Sequence, residues 1–463
     1  MYFGRPLSGI NFMYELTIFD LLSASLWILI IGIYSYFHYH YNIRERPYYK
    51  YYLYGLSAKM FGGICFALIY SFYYDYTGDT FVYYSDIQKL FSLFYSEPVN
   101  VIKVIFQEAE TFNPDTHHIT SQLLFFKSAD TFIVIRICTF INFLAFNTYL
   151  GSTVILSYLS FLGVWKMFLL FREYYAKIEN ELALAILFFP SVVFWGSGIL
   201  KDSLVIAGVG FILYYLNELI IKGRLSILKT FFLILVIYVT TTAKSYVIVS
   251  LLPATVIWLI PRVQKNIKNK VVKIFISPII IVGGLAFSIY LFTFFENSFE
   301  RFSLDEVVAT AQSYQDWHYL GGDLETSGRG SSYTLGEYDA TLPGIVSLIP
   351  SSIAVTLFRP YLWEIRSAIM GVSAIESSFV ILLTLYAFWK VRITRMIYQF
   401  RTDSFLTMCL IFSLIFAFSV GFSSYNFGAL VRYKIPCIPM YLSVLFVLLN
   451  YEKLSSKKGD PNC

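Results

Sequence analysis

Apolar residues in this chain come in uninterrupted blocks rather than on one face of a helix or in alternation. Eleven blocks can be drawn: Leu21–Phe37, Leu53–Tyr74, Leu150–Phe171, Leu182–Gly198, Leu204–Ile221, Ile227–Thr241, Val247–Ile260, Ile274–Phe294, Ile369–Trp389, Phe405–Phe422 and Ile435–Leu449. Most approach the roughly twenty residues that cross about 30 Å of hydrocarbon. Lipid offers the backbone no hydrogen-bond partners, so such blocks are expected to be helices. The pattern predicts an all-α, polytopic transmembrane bundle of about 11–12 membrane segments, with residues 1–463 forming a single integral membrane domain.

Two stretches interrupt the pattern. Phe132–Phe146 is apolar but short, carries Arg136 and Asn142, and abuts the next block almost without a loop. It is expected to be re-entrant or interfacial. Leu342–Phe358 is broken by Pro343, Gly344 and Pro350. It reads as a half-helix dipping into one leaflet, which is permitted where protein or water covers the backbone.

The polar connections fall into two kinds. Short basic ones carry Arg44/Arg46/Lys50, Arg172/Lys177, Lys222/Arg224/Lys229, the Arg262–Lys273 cluster and Lys390/Arg392/Arg395/Arg401, with a basic tail over 451–463. By the positive-inside rule these are cytoplasmic. The others are acidic and aromatic: a first external loop at 75–130, turns near Lys201 and Lys244, a large external loop at 295–368, and 423–434. The N-terminus is then expected outside and the C-terminus inside, in the cytoplasmic (inner) membrane of a bacterium.

Composition sharpens this picture. The chain is 57% hydrophobic and only 14% charged, where soluble domains carry about 25% charged residues. The net charge of +5 comes from the short basic loops and implies no nucleic-acid partner. Five scattered cysteines form no CxxC or Cys/His pair, and the five histidines show no ligand spacing. Neither a disulfide framework nor a histidine metal site is indicated, and no cofactor is called for beyond a divalent cation on paired carboxylates. No cleavable signal is legible at the N-terminus.

Candidate chemistry gathers in the external turns. Asp79 follows Gly78 in YYDYTGDTF just after a helix exit, where a carboxylate can act as a general base or merely cap a helix. Lys201 and Asp202 follow the tight PSVVFWGSG turn, where charges beside apolar blocks need a partner or a polar cavity. Arg359 and Glu364 lie in FRPYLWEIR, either as an ion-pair brace or as ligand groups, and Glu376 falls inside the following block, where it needs a cationic partner. Lys244, Arg432 and Lys434 are cations on the side where positive charge is disfavoured. They suit an anionic ligand such as a lipid phosphate, since arginine binds phosphate bidentately, or they snorkel to headgroups.

Together these turns resemble the pattern of GT-C-fold membrane glycosyltransferases, the group of protein O-mannosyltransferases, aminoarabinose transferases and oligosaccharyltransferase catalytic subunits. The GDTFVYY segment matches the catalytic carboxylate of the first external loop, PSVVFWGSGILKDS a second acidic turn, and Arg432-Tyr433-Lys434-Ile435-Pro436 with Pro439 the donor-phosphate element. The resemblance implies Asp79 and Asp202 as catalytic residues, and Arg432, Lys434, Arg359, Glu364, Lys201 and Lys244 as substrate-binding residues. It also implies a polyprenyl-phosphate-linked sugar as donor and a glycan, lipid or protein acceptor. The chain departs in having an extra leading helix and no acidic pair at Asp79. It is also similar to multi-pass membrane proteins with PSVxFWGSGxxKDS and FRPxLWE elements, a likeness that carries no activity. An O-antigen or exopolysaccharide polymerase using Arg329 and Arg359 stays open as an alternative, as does a non-enzymatic transporter of lipid-linked glycans.

Overall fold

A computed structural model of the chain describes residues 14–265, 333–335 and 341–455. The Ile274–Phe294 block and most of the loop at 295–368 lie outside the described residues. Those described are helical, with no strand among them. Seven helices are long and apolar enough to cross a membrane: Ile18–Ile43, Pro47–Tyr73, Tyr149–Tyr174, Lys201–Ile221, Ser245–Arg262, Ala368–Lys390 and Ser404–Ser424. An eighth crossing arises if the bent pair Phe427–Tyr433 and Ile438–Leu449, 64° apart, is one span. The protein is therefore read as an integral, multi-pass helical membrane protein.

Among the described residues, three of the predicted blocks or stretches are not single long helices, for local reasons. The Leu182–Gly198 block is two short helices, Glu179–Ile186 and Pro190–Trp195. Pro190 cannot donate the backbone hydrogen bond that would continue the first helix, so it starts the second. The Ile227–Ala243 helix has 17 residues, one helical turn short of a comfortable crossing. Residues 342–358 are broken at Leu348 into Leu342–Ser347 and Ile349–Phe358, each with proline in its first turn.

The chain forms two compact units. The first comprises residues 1–165 and 193–208. Here Ile18–Ile43 packs on Lys50–Leu68, and Asp79–Phe94 pairs with Ala129–Leu144. The region 75–130 also carries the helices Pro98–Phe106 and His117–Thr120.

Both ends of Ala129–Leu144 are fixed. Its first turn holds Asp130, whose Oδ2 accepts from Lys201 Nζ at 2.6 Å. At its other end Ser23 donates to the Ala145 carbonyl (2.9 Å) and Trp27 to the Leu144 carbonyl (3.0 Å), near the start of Ile18–Ile43. Tyr149–Tyr174 begins a few residues later. These contacts fix both ends of Ala129–Leu144 within the first unit.

The second unit comprises residues 166–192 and 209–463. Ser404–Ser424 is its centre, flanked by Ser245–Lys265 and Ile349–Phe358, while Glu179–Ile186 packs on Ile438–Leu449. Close approach needs Gly421: a Cβ there would stand 2.1 Å from the Ser352 carbonyl oxygen. Thr356 then donates to the Ala417 carbonyl at 2.7 Å, tying the short helix to the long one.

Candidate functional site

In the first unit, the Gly196–Leu200 turn is wholly buried. A broken helix leaves carbonyls unpaired, and each must find a donor in an apolar interior. Serines supply them: Ser160 donates to the Gly196 carbonyl at 2.6 Å, Ser157 to that of Ser197 at 2.8 Å, and Ser203 to that of Gly198 at 2.6 Å. Ser157 and Ser160 are eight and eleven residues past Tyr149, about 12–16 Å down the helix at 1.5 Å per residue. The turn is therefore sunk well into the unit.

Small residues make room for it. A Cβ at Gly62 would meet the Val193 carbonyl oxygen at 2.4 Å, and one at Gly198 the Phe66 ring at 2.2 Å. Lys59, 2% exposed, stands one helical turn before Gly62 and is a buried membrane cation that block reading passes over.

Lys201 and Asp202 leave this turn as the first residues of Lys201–Leu216. Asp202 is buried, and Lys201 pairs with Asp130 at 2.6 Å. Asp79 opens its own helix after Gly78, whose φ of +90° belongs to the left-handed region that glycine tolerates. Tyr70 links the two turns: a Cβ on Gly78 would stand 2.7 Å from its ring, and that ring lies 6.4 Å from Trp195. Thr80, next to Asp79, hydrogen-bonds the Tyr149 hydroxyl at 2.8 Å. Asp79, Lys201 and Asp202 are thus carried by one unit, with one aromatic layer joining their turns.

In the second unit the other five candidates cluster with Glu376. Lys434 sits in the break between Phe427–Tyr433 and Ile438–Leu449, and donates to the Arg359 carbonyl (3.0 Å) and to Ser377 Oγ (3.1 Å). Glu376, adjacent to Ser377 and buried, supplies its countercharge. Glu376 Oε1 accepts from the Ser191 amide at 2.6 Å, capping the helix that Pro190 begins, while its Oε2 has no hydrogen-bond partner among the described residues.

Arg359 forms a forked pair with Glu364, Nε to Oε2 at 3.2 Å, and its guanidinium lies 4.9 Å from the Phe427 ring and 5.6 Å from that of Tyr333. Burial raises the Tyr333 phenol above its ordinary value, so it stays protonated and donates to the Gly421 carbonyl at 3.1 Å. Lys244, at the break after Ile227–Ala243, stands 3.9 Å from the Tyr433 ring, and Arg432 lies 5.1 Å from the same ring.

Among the described residues, four cations (Lys244, Arg359, Arg432, Lys434) and two carboxylates (Glu364, Glu376) gather here. Such an arrangement can hold an anion, with Lys434 bracing the break rather than presenting its ammonium to solvent.

Asp130 and Tyr70 are members of these arrangements that motif reading misses. Asp130 has one usable signal, the Ser-Ala-Asp that starts an apolar run. Among the described residues no group of three or more His, Cys, Asp or Glu side chains gathers as metal ligands. Comparison with known proteins returns no match among family models, curated proteins or solved structures.

Proposed function

We propose that the protein is a membrane glycosyltransferase of GT-C-like arrangement that moves a sugar from a polyprenyl-phosphate donor to an acceptor on the non-cytoplasmic face of a bacterial inner membrane. The observation that carries this reading is the cationic cluster at the Tyr433–Cys437 break, where Arg432 and Lys434 are joined by Arg359 and Lys244 from the ends of two other helices. Glu364 and Glu376 answer Arg359 and Lys434, and a bound anion would stabilise so many cations beside apolar helices further. A phosphate diester suits arginines held by aromatic rings, which keep their donors preorganised.

The acid–base half of the reaction falls to Asp79, with Asp202 behind it. The acceptor hydroxyl oxygen attacks the anomeric carbon, the bond from that carbon to the phosphate oxygen breaks, and the hydroxyl proton passes to the carboxylate of Asp79. The lipid phosphate departs as an anion, a leaving group good enough to go without a separate acid. The Lys201–Asp130 pair supports Asp202 by fixing the start of its helix.

The test uses full-length protein in nanodiscs with a short-chain polyprenyl-phosphate sugar. Asp79→Asn and Arg432→Ala are expected to lower sugar release by 10²-fold or more, on the order of a lost general base or oxyanion donor. Wild-type turnover in folded Asp79→Asn, Asp202→Asn and Arg432→Ala variants alike would sink the proposal.

A further inference from the structure

At the opposite, basic ends of the helices lies a second charged cluster, within the second unit, that the proposed reaction does not use. The turn Lys222–Ser226 joins Lys201–Ile221 to Ile227–Ala243. Glu218, with 6% of its side chain exposed, takes three cations at once: Lys222 at 2.6 Å, Lys229 at 3.4 Å and Arg224 at 3.6 Å. Lys222 also reaches Glu173 at 2.7 Å. Arg262 lies against the same turn, since a Cβ on Gly223 would stand 3.4 Å from its guanidinium. Lys166 interacts electrostatically with Glu218 and Lys229. Among the described residues five cations thus surround two carboxylates, an excess of three positive charges. Glu218 is already shared three ways and cannot neutralise them.

Beside these charges the turn leaves Leu225, Ile227 and Leu228 more than 80% exposed (84%, 88% and 81%). A soluble anion would meet the cations but leave these side chains in water. A phospholipid meets both demands, with acyl chains against the leucines and isoleucine and a phosphate level with Arg224 and Lys229. The cations sit where apolar helices end, which is the depth of the headgroups.

We propose that Arg224, Lys229 and Arg262 form a binding site for the headgroup of an anionic phospholipid, with Leu225, Ile227 and Leu228 seating its acyl chains. Glu218 holds Lys222 and orients Arg224 and Lys229, so that the phosphate completes the cluster rather than replacing a partner.

The test is retention of phosphatidylglycerol against phosphatidylcholine by the full chain, read by native mass spectrometry after exchange from mixed vesicles. Wild type is expected to retain phosphatidylglycerol preferentially. Affinity should fall about fivefold for each of Arg224→Gln, Lys229→Gln and Arg262→Gln, since a basic residue near the headgroups contributes about 1 kcal/mol. Arg392→Gln/Arg401→Gln removes two exposed cations elsewhere and should leave retention unchanged. A photoactivatable phosphatidylglycerol should crosslink wild type within Leu225–Leu228, a readout that needs no variant. Equal losses in the control variant, no headgroup preference in wild type, or crosslinks confined to other segments would each overturn the proposal.

Discussion

Replacing Lys434 by methionine removes the one countercharge described for Glu376. The methionine fills nearly the same volume, so the change is electrostatic more than steric. Two hydrogen bonds go with it, to the Arg359 carbonyl at 3.0 Å and to Ser377 at 3.1 Å. Each contributes about 1 kcal/mol. The larger loss is the carboxylate, which keeps only the Ser191 amide at 2.6 Å and is buried beside an oxygen already lacking a partner. Stranding such a charge brings the whole cost to about 3–5 kcal/mol. Glu376→Gln is expected to be destabilising too, because it strands the ammonium. In the double variant Glu376→Gln/Lys434→Met no charge remains, and glutamine still accepts from Ser191. The double variant should therefore recover much of the loss, a coupling of about 2–3 kcal/mol. Unfolding of the full chain in mixed micelles, followed against the mole fraction of denaturing detergent, measures all four proteins. Additivity of the single changes within about 0.5 kcal/mol would refute the pairing.

Three further outcomes follow from the first unit. Gly198→Ala drives a Cβ to 2.2 Å from the Phe66 ring and should cost about 1–3 kcal/mol of stability; Phe66→Leu in the same chain should return part of it, read by thermal unfolding. Ser157→Ala/Ser160→Ala leaves the Gly196 and Ser197 carbonyls without their donors and should destabilise by about 1–3 kcal/mol per carbonyl, whereas Ser92→Ala, at an exposed position, should not. Burial holds the Asp86 carboxyl above its ordinary value of 3.8, despite the Phe125 and Leu124 amides and Lys89, which pull it down. A raised value means the folded protein binds that proton more tightly, so the contribution is full below pH 3.8 and is lost as pH rises through the raised value. The stability of Asp86→Asn should lack this downward slope when both proteins are unfolded across that window.

Block length and charge bias were enough to read a helical membrane protein from the sequence, because lipid leaves the backbone little choice. Gly78 was legible as a turn for a different reason: few residues accept its φ. Glu376 could be expected to seek a cation, but Lys434, 58 positions later, could not be named from spacing alone. The Lys201–Asp130 pair was equally hidden, since 71 positions separate its partners. The Leu182–Gly198 block misled most. Its hydropathy suits a span, yet Pro190 breaks it and a row of serines on a neighbouring helix holds its carbonyls at depth. Hydropathy records how apolar a segment is, not where its backbone hydrogen bonds go.

Asp79 and Asp202 can share a face only if both ends of Ala129–Leu144 stay on one side of the membrane, away from the Arg44 turn. Single cysteines at Lys127, Phe146 and Arg44, in a background with Cys65, Cys138, Cys409, Cys437 and Cys463 replaced, can be probed with a membrane-impermeant maleimide in sealed vesicles of known orientation. Lys127→Cys and Phe146→Cys should label from the same, non-cytoplasmic side, and Arg44→Cys only from the other. Labelling of Lys127→Cys and Phe146→Cys from opposite sides would contradict the account, because Asp79 and Asp202 could then no longer share a face.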